Sequence, residues 1–467
     1  MSSPLHDLRI AVRALAKAPT FAVVTIATLA VAIGANSAIF SVVDGVLLRP
    51  LPYPDADRIV RVSAGVLPQA GGGPVAPFSD RGYWHFKDHN RSFDAFGAYE
   101  AGNVQWPLTN DGPPLQVDVA LMTLSAFEVM GVQPQRGRLP TPEEDVPDAP
   151  QVVLISDGLW VDRYGADPGI IGRTIELNGV TREVIGVMPP DYDFPTTQTD
   201  VWAPDRLNPA SENFGGHHLT GIARLAPDAT LESAEQDAET LIARFDEVGY
   251  GPQWFVGIFS GEAVVRTLKE EIIGDSREPL LILLGTVAFV LLIACSNVAN
   301  LLLVRAESRT RERAVRIALG SGRGRLMQYV MTESMLLSLV GGAAGIVLAW
   351  IGTRALVSAG PASIPRLEEI GLNTNVLLFT TAVSVVAGLL FGLLPALRAG
   401  SKRTLAALRD GGRGSTIGRD RHRARSVLVV GQVALALMLL VGSGLMVRSF
   451  QQLRSVDPGF GAEGVMT

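Results

Sequence analysis

The sequence predicts a multi-pass α-helical membrane protein of about five transmembrane helices, with a large α+β extracytoplasmic domain between helices 1 and 2. Residues 280–304 contain no charged side chain, and about 25 residues at helical rise are enough to cross a hydrocarbon core of ~30 Å. The mean hydropathy is +0.26 and 47% of the residues are hydrophobic, which is too apolar for a soluble protein. The middle of the chain is too polar to lie in a membrane, so the protein combines both environments.

Charge is segregated along the chain. Residues 44–278 carry 36 acidic and 17 basic side chains. The stretch from Arg305 to Glu333 contains seven Arg and three acids, and residues 398–425 contain nine bases and two acids. Because basic residues next to membrane spans are retained in the cytoplasm, the sequence predicts an inner membrane protein with a cytoplasmic amino terminus. Both Arg-rich segments are then cytoplasmic, and residues 44–278 lie outside.

The chain begins with a basic, amphipathic, cytoplasmic lead-in at residues 1–20, followed by a first transmembrane helix at residues 21–43. A cleavable signal peptide is the alternative interpretation. Its apolar region would usually be about 7–15 residues long and end at a small-x-small site. The longer charge-free run favours a span that is retained.

The outer domain, residues 44–278, shows strand and helix patterns together. Gln151–Ser156 is predicted to be a buried strand, followed by a short helix at Asp157–Tyr164. Thr174–Leu177 and Val180–Val187 flank Asn178-Gly179, a pair that supplies the positive φ angles of a type I′ turn. A hairpin is therefore predicted at this point.

A second strand-helix pair is predicted near the end of the outer domain. Leu219–Leu225 has the pattern of a strand, and Thr230 is predicted to cap the helix that follows. The apolar face of that helix is predicted to consist of Leu231, Ala234, Ala238, Leu241, Ile242 and Phe245.

After the second span at 280–304, the apolar pattern predicts three further spans. The predicted segments are a third span at 330–353, a fourth at 372–397, a flexible basic linker at 398–425, a fifth span at 426–447 and an outer region at 448–467. Gly341 and Gly345 are spaced to allow close helix contact. Cys295 is the single cysteine, so no intrachain disulfide can form.

Two amides interrupt the second span. Asn297 and Asn300 are three residues apart and so share one face of a helix. Polar side chains in hydrocarbon tend to face other helices, where they can hydrogen-bond. Both are therefore predicted to make intramembrane polar contacts within the bundle.

The fifth span repeats the pattern of the first: a basic lead-in, a charge-free helix, and an outward segment with the turn residues Asp457-Pro458-Gly459. An outward segment of about 20 residues is too short to fold alone. The sequence is therefore expected either to be truncated or to reach the start of a second copy of its first half.

Several phrases are similar to one family of permeases. They are Ile33-Gly-Ala-Asn-Ser-Ala-Ile-Phe-Ser, Val46-Leu-Leu-Arg-Pro-Leu-Pro, Val153-Leu-Ile-Ser-Asp-Gly-Leu-Trp, Gly172-Arg-Thr-Ile-Glu-Leu-Asn-Gly, Gly186-Val-Met-Pro-Pro, Arg311-Glu-Arg-Ala-Val-Arg-Ile-Ala-Leu-Gly and Gln432-Val-Ala-Leu-Ala-Leu. The order of one span, a large outer domain and three spans resembles the MacB-like and FtsX-like permeases of the type VII ABC superfamily, and the phrases look like its acidobacterial duplicated orphan permease branch. By this resemblance, residues 279–397 form an FtsX-like permease domain with the second to fourth spans.

The resemblance implies a permease dimer or pseudo-dimer that works with a cytoplasmic ABC ATPase and transmits motion to its outer domain. It also implies an ATPase-coupling segment between the second and third spans. The residues expected to carry that coupling are Glu307, Arg309, Glu312, Arg313 and Arg316. The sequence is consistent with this coupling role, because no other predicted cytoplasmic loop contains many residues of both charge signs. The alternative is a charged loop that only anchors the topology.

No motif indicates catalysis or a cofactor site, so the chain is not predicted to be an enzyme. It has no Gly-x-x-x-x-Gly-Lys-Ser/Thr sequence, so ATP is expected to bind to a partner subunit. His85 and His89 have the spacing of a metal pair but lack a recognisable third ligand. The basic segments flank membrane spans, which favours contact with anionic lipids over nucleic acid.

Two classes of function remain open. The first is a permease subunit that couples ATP hydrolysis to export, to lipid or lipoprotein extraction, or to mechanotransmission to an outer protein partner. The second is a membrane-anchored sensor or scaffold whose outer domain binds a ligand without transport. The number of spans favours the first class, because an anchor needs only one helix.

Overall fold

The computed structural model describes residues 4–67, 75–100, 102–211, 214–308, 322–359, 366, 369–399 and 416–454. The chain forms two compact units. One consists of the chain up to Arg49 together with the chain from Asp275 onward, and the other is Pro50–Gly274. They are called here the membrane unit and the outer unit.

Within its described residues, the membrane unit contains five helices that are long and apolar enough to cross a membrane. They are Pro19–Leu48, Arg277–Ala306, Gly324–Ala359, Thr374–Leu393 and Val429–Ser449, and are numbered as the first to fifth membrane helices. A shorter amphipathic helix, Pro4–Ala16, precedes the first. Together with the α/β outer unit between the first and second helices, this arrangement confirms the predicted fold class.

The helices extend beyond the predicted spans. The full helices are Pro19–Val43 with a π-helical turn at Asp44–Leu48, Arg277–Ser308, Arg323–Ala359, Thr374–Ala399 and Thr416–Arg454. The prediction that residues 398–425 form a flexible linker is therefore wrong at residues 398–399 and from Thr416 onward, while residues 400–415 lie outside the described part of the chain. Arg is a good helix former, and a helix does not have to end where the hydrocarbon core ends.

The first and third membrane helices pack through glycines. A Cβ atom built on Gly34 would lie 2.9 Å from the carbonyl oxygen of Gly345, and one built on Gly341 would lie 2.7 Å from the Cβ atom of Leu29. The close helix contact predicted at Gly341 and Gly345 is therefore confirmed. Small residues at such an interface let two backbones approach and gain dispersion contacts.

Polar side chains also join neighbouring membrane helices. The Asn36 amide donates a 2.8 Å hydrogen bond to the carbonyl of Val287 in the second helix. The Thr380 hydroxyl of the fourth helix donates to the Ser37 hydroxyl at 2.7 Å. These bonds fix the rotation of the first helix against its neighbours, because an unpaired polar group in hydrocarbon is costly.

In the part of the outer unit that the structure describes, twelve strands form one mixed sheet. In chain order they are β1 Ile59–Val66, β2 Val75–Ala76, β3 Phe93–Glu100, β4 Val104–Leu108, β5 Leu115–Met122, β6 Arg136–Gly137, β7 Val152–Ile155, β8 Thr174–Leu177, β9 Val180–Val187, β10 Val201–Pro204, β11 Leu219–Leu225 and β12 Phe259–Thr267. The order is β10-β7-β9-β8-β4-β5-β3-β11-β1-β12. Because β10 also pairs with β5, six of the strands close into a ring.

The ring and the open part of the sheet enclose separate apolar cores. The ring is filled by β-branched and other apolar residues that include Val119, Ile175 and Val201. The open part packs against the helices Asp80–His89 and Leu231–Ala243. The remaining helices of the unit are Leu124–Met130, Asp157–Tyr164, Gln253–Val256 and Leu268–Ile273.

The locally encoded elements of the outer unit are confirmed. Asn178 and Gly179 have φ angles of 51° and 73° between β8 and β9, as a type I′ turn requires. The Ser156 hydroxyl accepts a hydrogen bond from the Leu159 amide and caps the helix Asp157–Tyr164. Thr230 caps the helix Leu231–Ala243 in the same way.

The predicted apolar face of that last helix needs two corrections. Leu231 is exposed, and Phe245 lies beyond the end of the helix although it is fully buried. The first turn of a helix often projects past the core that its later turns cover. The buried members of the face are Ala234, Ala238, Leu241 and Ile242.

Candidate functional site: two polar clusters in the membrane unit

A buried ion pair lies where the second membrane helix ends and the third begins. Arg305 Nη1 lies 3.2 Å from Glu333 Oε1, and the two side chains are 9% and 8% exposed. Arg305 also donates a 2.7 Å hydrogen bond to the carbonyl of Ala14, and its guanidinium lies 4.2 Å from the ring centre of Phe21. These four residues are called here the inner polar cluster.

The inner polar cluster joins four helices. Ala14 belongs to the amphipathic amino-terminal helix, and Phe21 lies in the first turn of the first membrane helix. Because a charge at such depth is costly unless it is paired and hydrogen-bonded, the pair constrains where all four helix ends can lie. The sequence signal for this site was Glu333, an acid within a predicted span, which by itself suggests a function.

A second group of polar contacts lies at the other end of the first membrane helix. The Asp44 carboxylate is buried and accepts hydrogen bonds from the side-chain amides of Asn373 and Asn375, at 2.6 and 3.1 Å. The Ser41 hydroxyl donates to the carbonyl of Gly371 at 2.9 Å. Asp44 opens the π-helical turn, an irregularity that is frequent at functional sites.

Charged residues of the membrane unit extend this group. Arg366 forms a bidentate pair with Glu369, with both N–O distances 2.7 Å, and also donates to the carbonyl of Arg49 at 2.9 Å. The Arg49 side chain lies 3.3 Å from Glu369 Oε2. These contacts and those of Asp44 are called here the outer polar cluster. They fasten the last turn of the first helix to the segment that precedes the fourth.

The predicted coupling residues fall largely outside the described part of the chain. Arg309, Glu312, Arg313 and Arg316 lie there, and Glu307 belongs to the last turn of the helix Arg277–Ser308, where only its backbone is described. The inner polar cluster flanks this segment on both sides, because Arg305 precedes it and Glu333 follows it. The coupling role of the five residues stays a prediction.

The two amides of the second membrane helix have different surroundings. The Asn297 side chain is exposed within the described chain and accepts a 3.2 Å hydrogen bond from Gln432 of the fifth membrane helix. Asn300 is half-buried. The histidines considered as a metal pair contact backbone carbonyls: His85 Nε2 lies 3.0 Å from Leu241 O, and His89 Nδ1 lies 3.0 Å from His85 O.

One carboxyl group in the outer unit has an unusual pKa. Burial raises the pKa of Asp205 to about 7, with a smaller contribution from the nearby negative charge of Glu100. Asp205 Oδ2 is buried and has no hydrogen-bond partner in the described part of the chain. Burial also raises the pKa of Asp145, which accepts hydrogen bonds from the backbone amides of Leu124 and Arg206.

Two family models match the chain and together span both units. The MacB-like periplasmic core domain matches residues 22–241, and the FtsX-like permease C-terminal domain matches residues 284–403. The chain is therefore similar to MacB-like and FtsX-like permeases over most of its length. With five apolar helices and this periplasmic domain, the permease is an inner membrane protein whose outer unit is periplasmic.

Curated relatives of this permease carry the name macrolide export ATP-binding/permease protein MacB. The relative from Hahella chejuensis is 28% identical over 287 residues, which cover 60% of this chain and 41% of the relative. The relative from Neisseria meningitidis is 26% identical over 317 residues, which cover 65% and 46% of the two chains. The permease thus spans less than half the length of these relatives.

Solved structures that are similar to part of this chain include a periplasmic region and a permease domain. The periplasmic region of MacB from Actinobacillus actinomycetemcomitans is 15% identical and covers 50% of this chain and 95% of its own, with a TM-score of 0.33. A domain of a putative permease from Porphyromonas gingivalis is 17% identical and covers 46% and 92%, with a TM-score of 0.34.

Proposed function

We propose that this chain is the permease subunit of a type VII ABC system, in which a separate cytoplasmic ATPase moves the periplasmic unit. The work done could be export, extraction of a lipid or lipoprotein, or mechanotransmission to a periplasmic protein. The observation that carries the proposal is that the first membrane helix is held by polar contacts at both of its ends. At its outer end, the chain runs from Arg49 directly into the outer unit at Pro50.

The inner polar cluster supports the input side of this proposal. It ties the helix that leads into the coupling segment, through Arg305, to the helix that leads out of it, through Glu333. Through Ala14 and Phe21 it also ties both to the start of the first membrane helix. A displacement of the coupling segment is therefore expected to shift the inner end of the first membrane helix.

The outer polar cluster supports the output side. Asp44 and Arg49 are held by the segment before the fourth membrane helix, and the first helix packs against the third at Gly34 and Gly345. The first, third and fourth helices are therefore expected to move as one block. Motion of that block would reach the outer unit through Pro50. A second permease copy, or a second half of the duplicated branch suggested by the sequence phrases, would complete the assembly.

The test of this function is stimulation of a cognate ATPase by the reconstituted permease. Reversing the charges of the coupling segment with Glu312→Arg and Arg316→Glu is expected to abolish stimulation, because truncating a buried interface charge pair costs roughly 2–5 kcal/mol. Arg448→Glu, at the outer end of the fifth helix, is the control for a charge change. Unchanged stimulation by the double reversal at equal incorporation would favour the sensor or scaffold function.

A further inference from the structure

A groove of about 630 Å³ lies beside the outer end of the third membrane helix. One wall is a single face of that helix, because Trp350, Arg354 and Val357 follow at helical spacing. The floor is the segment Ile370–Leu372, which precedes the fourth membrane helix. The Gly371 carbonyl accepts the hydrogen bond from Ser41, so the floor is fixed to the outer polar cluster. The groove is thus a preformed feature of the membrane unit.

The groove combines an apolar lining with one cation. The Arg354 guanidinium lies 4.3 Å from the ring centre of Trp350, which holds the charge in place by a cation–π contact. Arg354 is exposed and has no acidic partner in the part of the chain that the structure describes. Glu369, the described acid adjacent to the floor in sequence, is paired with Arg366 and Arg49. The positive charge of the groove is therefore available to an anion.

The position of the groove identifies the kind of anion. Trp side chains mark the level of lipid headgroups, and Trp350 is 44% exposed on a helix that crosses the membrane. An Arg beside a span on the periplasmic side runs against the usual distribution of basic residues. At this level the guanidinium meets the plane of the phosphates, with which it can form bidentate hydrogen bonds.

We propose that this groove binds a phospholipid of the periplasmic leaflet. Its phosphate is held by Arg354, and one acyl chain lies along the indole of Trp350 and the apolar side chains of Ile370 and Leu372. The proposal does not depend on the proposed coupling to an ATPase. A lipid bound here lies against the floor that the outer polar cluster fixes, so it would add to the packing of the third helix against the segment before the fourth.

The test uses the full chain, purified in a mild detergent, and native mass spectrometry with dioleoyl phosphatidylglycerol as the probe. Wild-type protein is expected to retain one lipid per chain, and Arg354→Gln is expected to lower retention roughly tenfold, since hydrogen bonds to charged groups are the strong ones. Arg448→Gln is the matched control, because Arg448 is also exposed at the outer end of a membrane helix. It is expected to retain the lipid.

Further measurements distinguish the contribution of the lipid phosphate from that of the acyl chains. Dioleoylglycerol, which lacks the phosphate, is expected to be retained poorly, and inorganic phosphate is not expected to displace the phospholipid. Trp350→Leu keeps the charge but removes the indole, and it is also expected to lower retention. Four results would each overturn the proposal. They are an equal loss of the phospholipid from Arg354→Gln and Arg448→Gln, retention of dioleoylglycerol equal to that of the phospholipid, displacement of the phospholipid by inorganic phosphate, and full retention of the phospholipid by both Arg354→Gln and Trp350→Leu. No ATPase is present, so failure here leaves the proposed function untouched.

Discussion

Arg305 and Glu333 form a 3.2 Å ion pair at the inner end of the membrane bundle, with less than a tenth of either side chain exposed. The pair lies on the two helices that bracket the predicted coupling segment. Burial makes it sensitive to the loss of either partner, because the remaining charge is then left without compensation. That property distinguishes it from the exposed pair Arg244–Glu247 of the outer unit, which is expected to contribute little.

The first prediction concerns this pair. Arg305→Gln and Glu333→Gln are each expected to lower the free energy of unfolding by roughly 3–5 kcal/mol, whereas the double variant Arg305→Met/Glu333→Leu should cost less than either single change. The measurement is unfolding in mixed micelles by titration with a denaturing detergent. Additive losses in the double variant would contradict the assignment of a buried, coupled pair.

The second prediction concerns the glycine contact between the first and third membrane helices. Gly34→Ala places a methyl group against Gly345 O and Leu348 Cβ, at 2.9 and 3.1 Å. The overpacking is expected to cost roughly 1–3 kcal/mol relative to the control. Gly442→Ala in the fifth helix meets nothing within 4 Å and makes the same change in helix propensity. Equal thermal stability of the two variants would show that the close approach is unimportant.

The third prediction concerns the pH dependence of the outer unit. The pKa of Asp205 is raised from 3.8 to about 7 by burial, so between these pH values the folded state holds a proton that the unfolded state releases. Its contribution therefore stabilises the fold below about pH 4 and is lost progressively as the pH rises to about 7. Asp205→Asn should flatten this part of the stability profile.

Thermal unfolding at several pH values is the measurement for Asp205. The comparison is between wild type and Asp205→Asn, because burial also raises the pKa of Asp145 and Asp200 and both remain in the variant. Asp246→Asn, which removes an exposed carboxylate, controls for the change in net charge. A wild-type profile parallel to that of Asp205→Asn between pH 4 and 7 would refute the assignment.

The fourth prediction concerns the bond between the second and fifth membrane helices. A double-mutant cycle with Asn297→Ala and Gln432→Ala is expected to give a coupling energy of about 0.6–1.7 kcal/mol, the range typical of hydrogen bonds within membranes. The matched cycle with Asn300→Ala and Gln432→Ala should give a value near zero. Equal coupling energies in both cycles would mean that Gln432 of the fifth helix does not bond specifically to Asn297.

Several features of this permease follow from the sequence because their causes are local. A hydrocarbon core requires about 20 predominantly apolar residues, so the five spans could be predicted from long apolar runs with at most one charged residue. The hairpin of β8 and β9 depends on two adjacent residues, Asn178 and Gly179, whose φ angles are positive. The ends of the spans were predicted less well, because a helix continues into the headgroup region without any change in its hydrogen bonding.

The polar clusters, by contrast, depend on tertiary structure. Asp44 and Asn373 are separated by 329 residues, and no local pattern tells which amide will reach a buried acid. The pairing of β10 with both β5 and β7 likewise closes the ring through residues distant in sequence. The sequence by itself determined which segments cross the membrane and where charge is concentrated. Only the packing of the helices decided that Arg305 meets Glu333 and that Arg354 stays free of an acid in the described chain, because partner choice depends on helix rotation and depth.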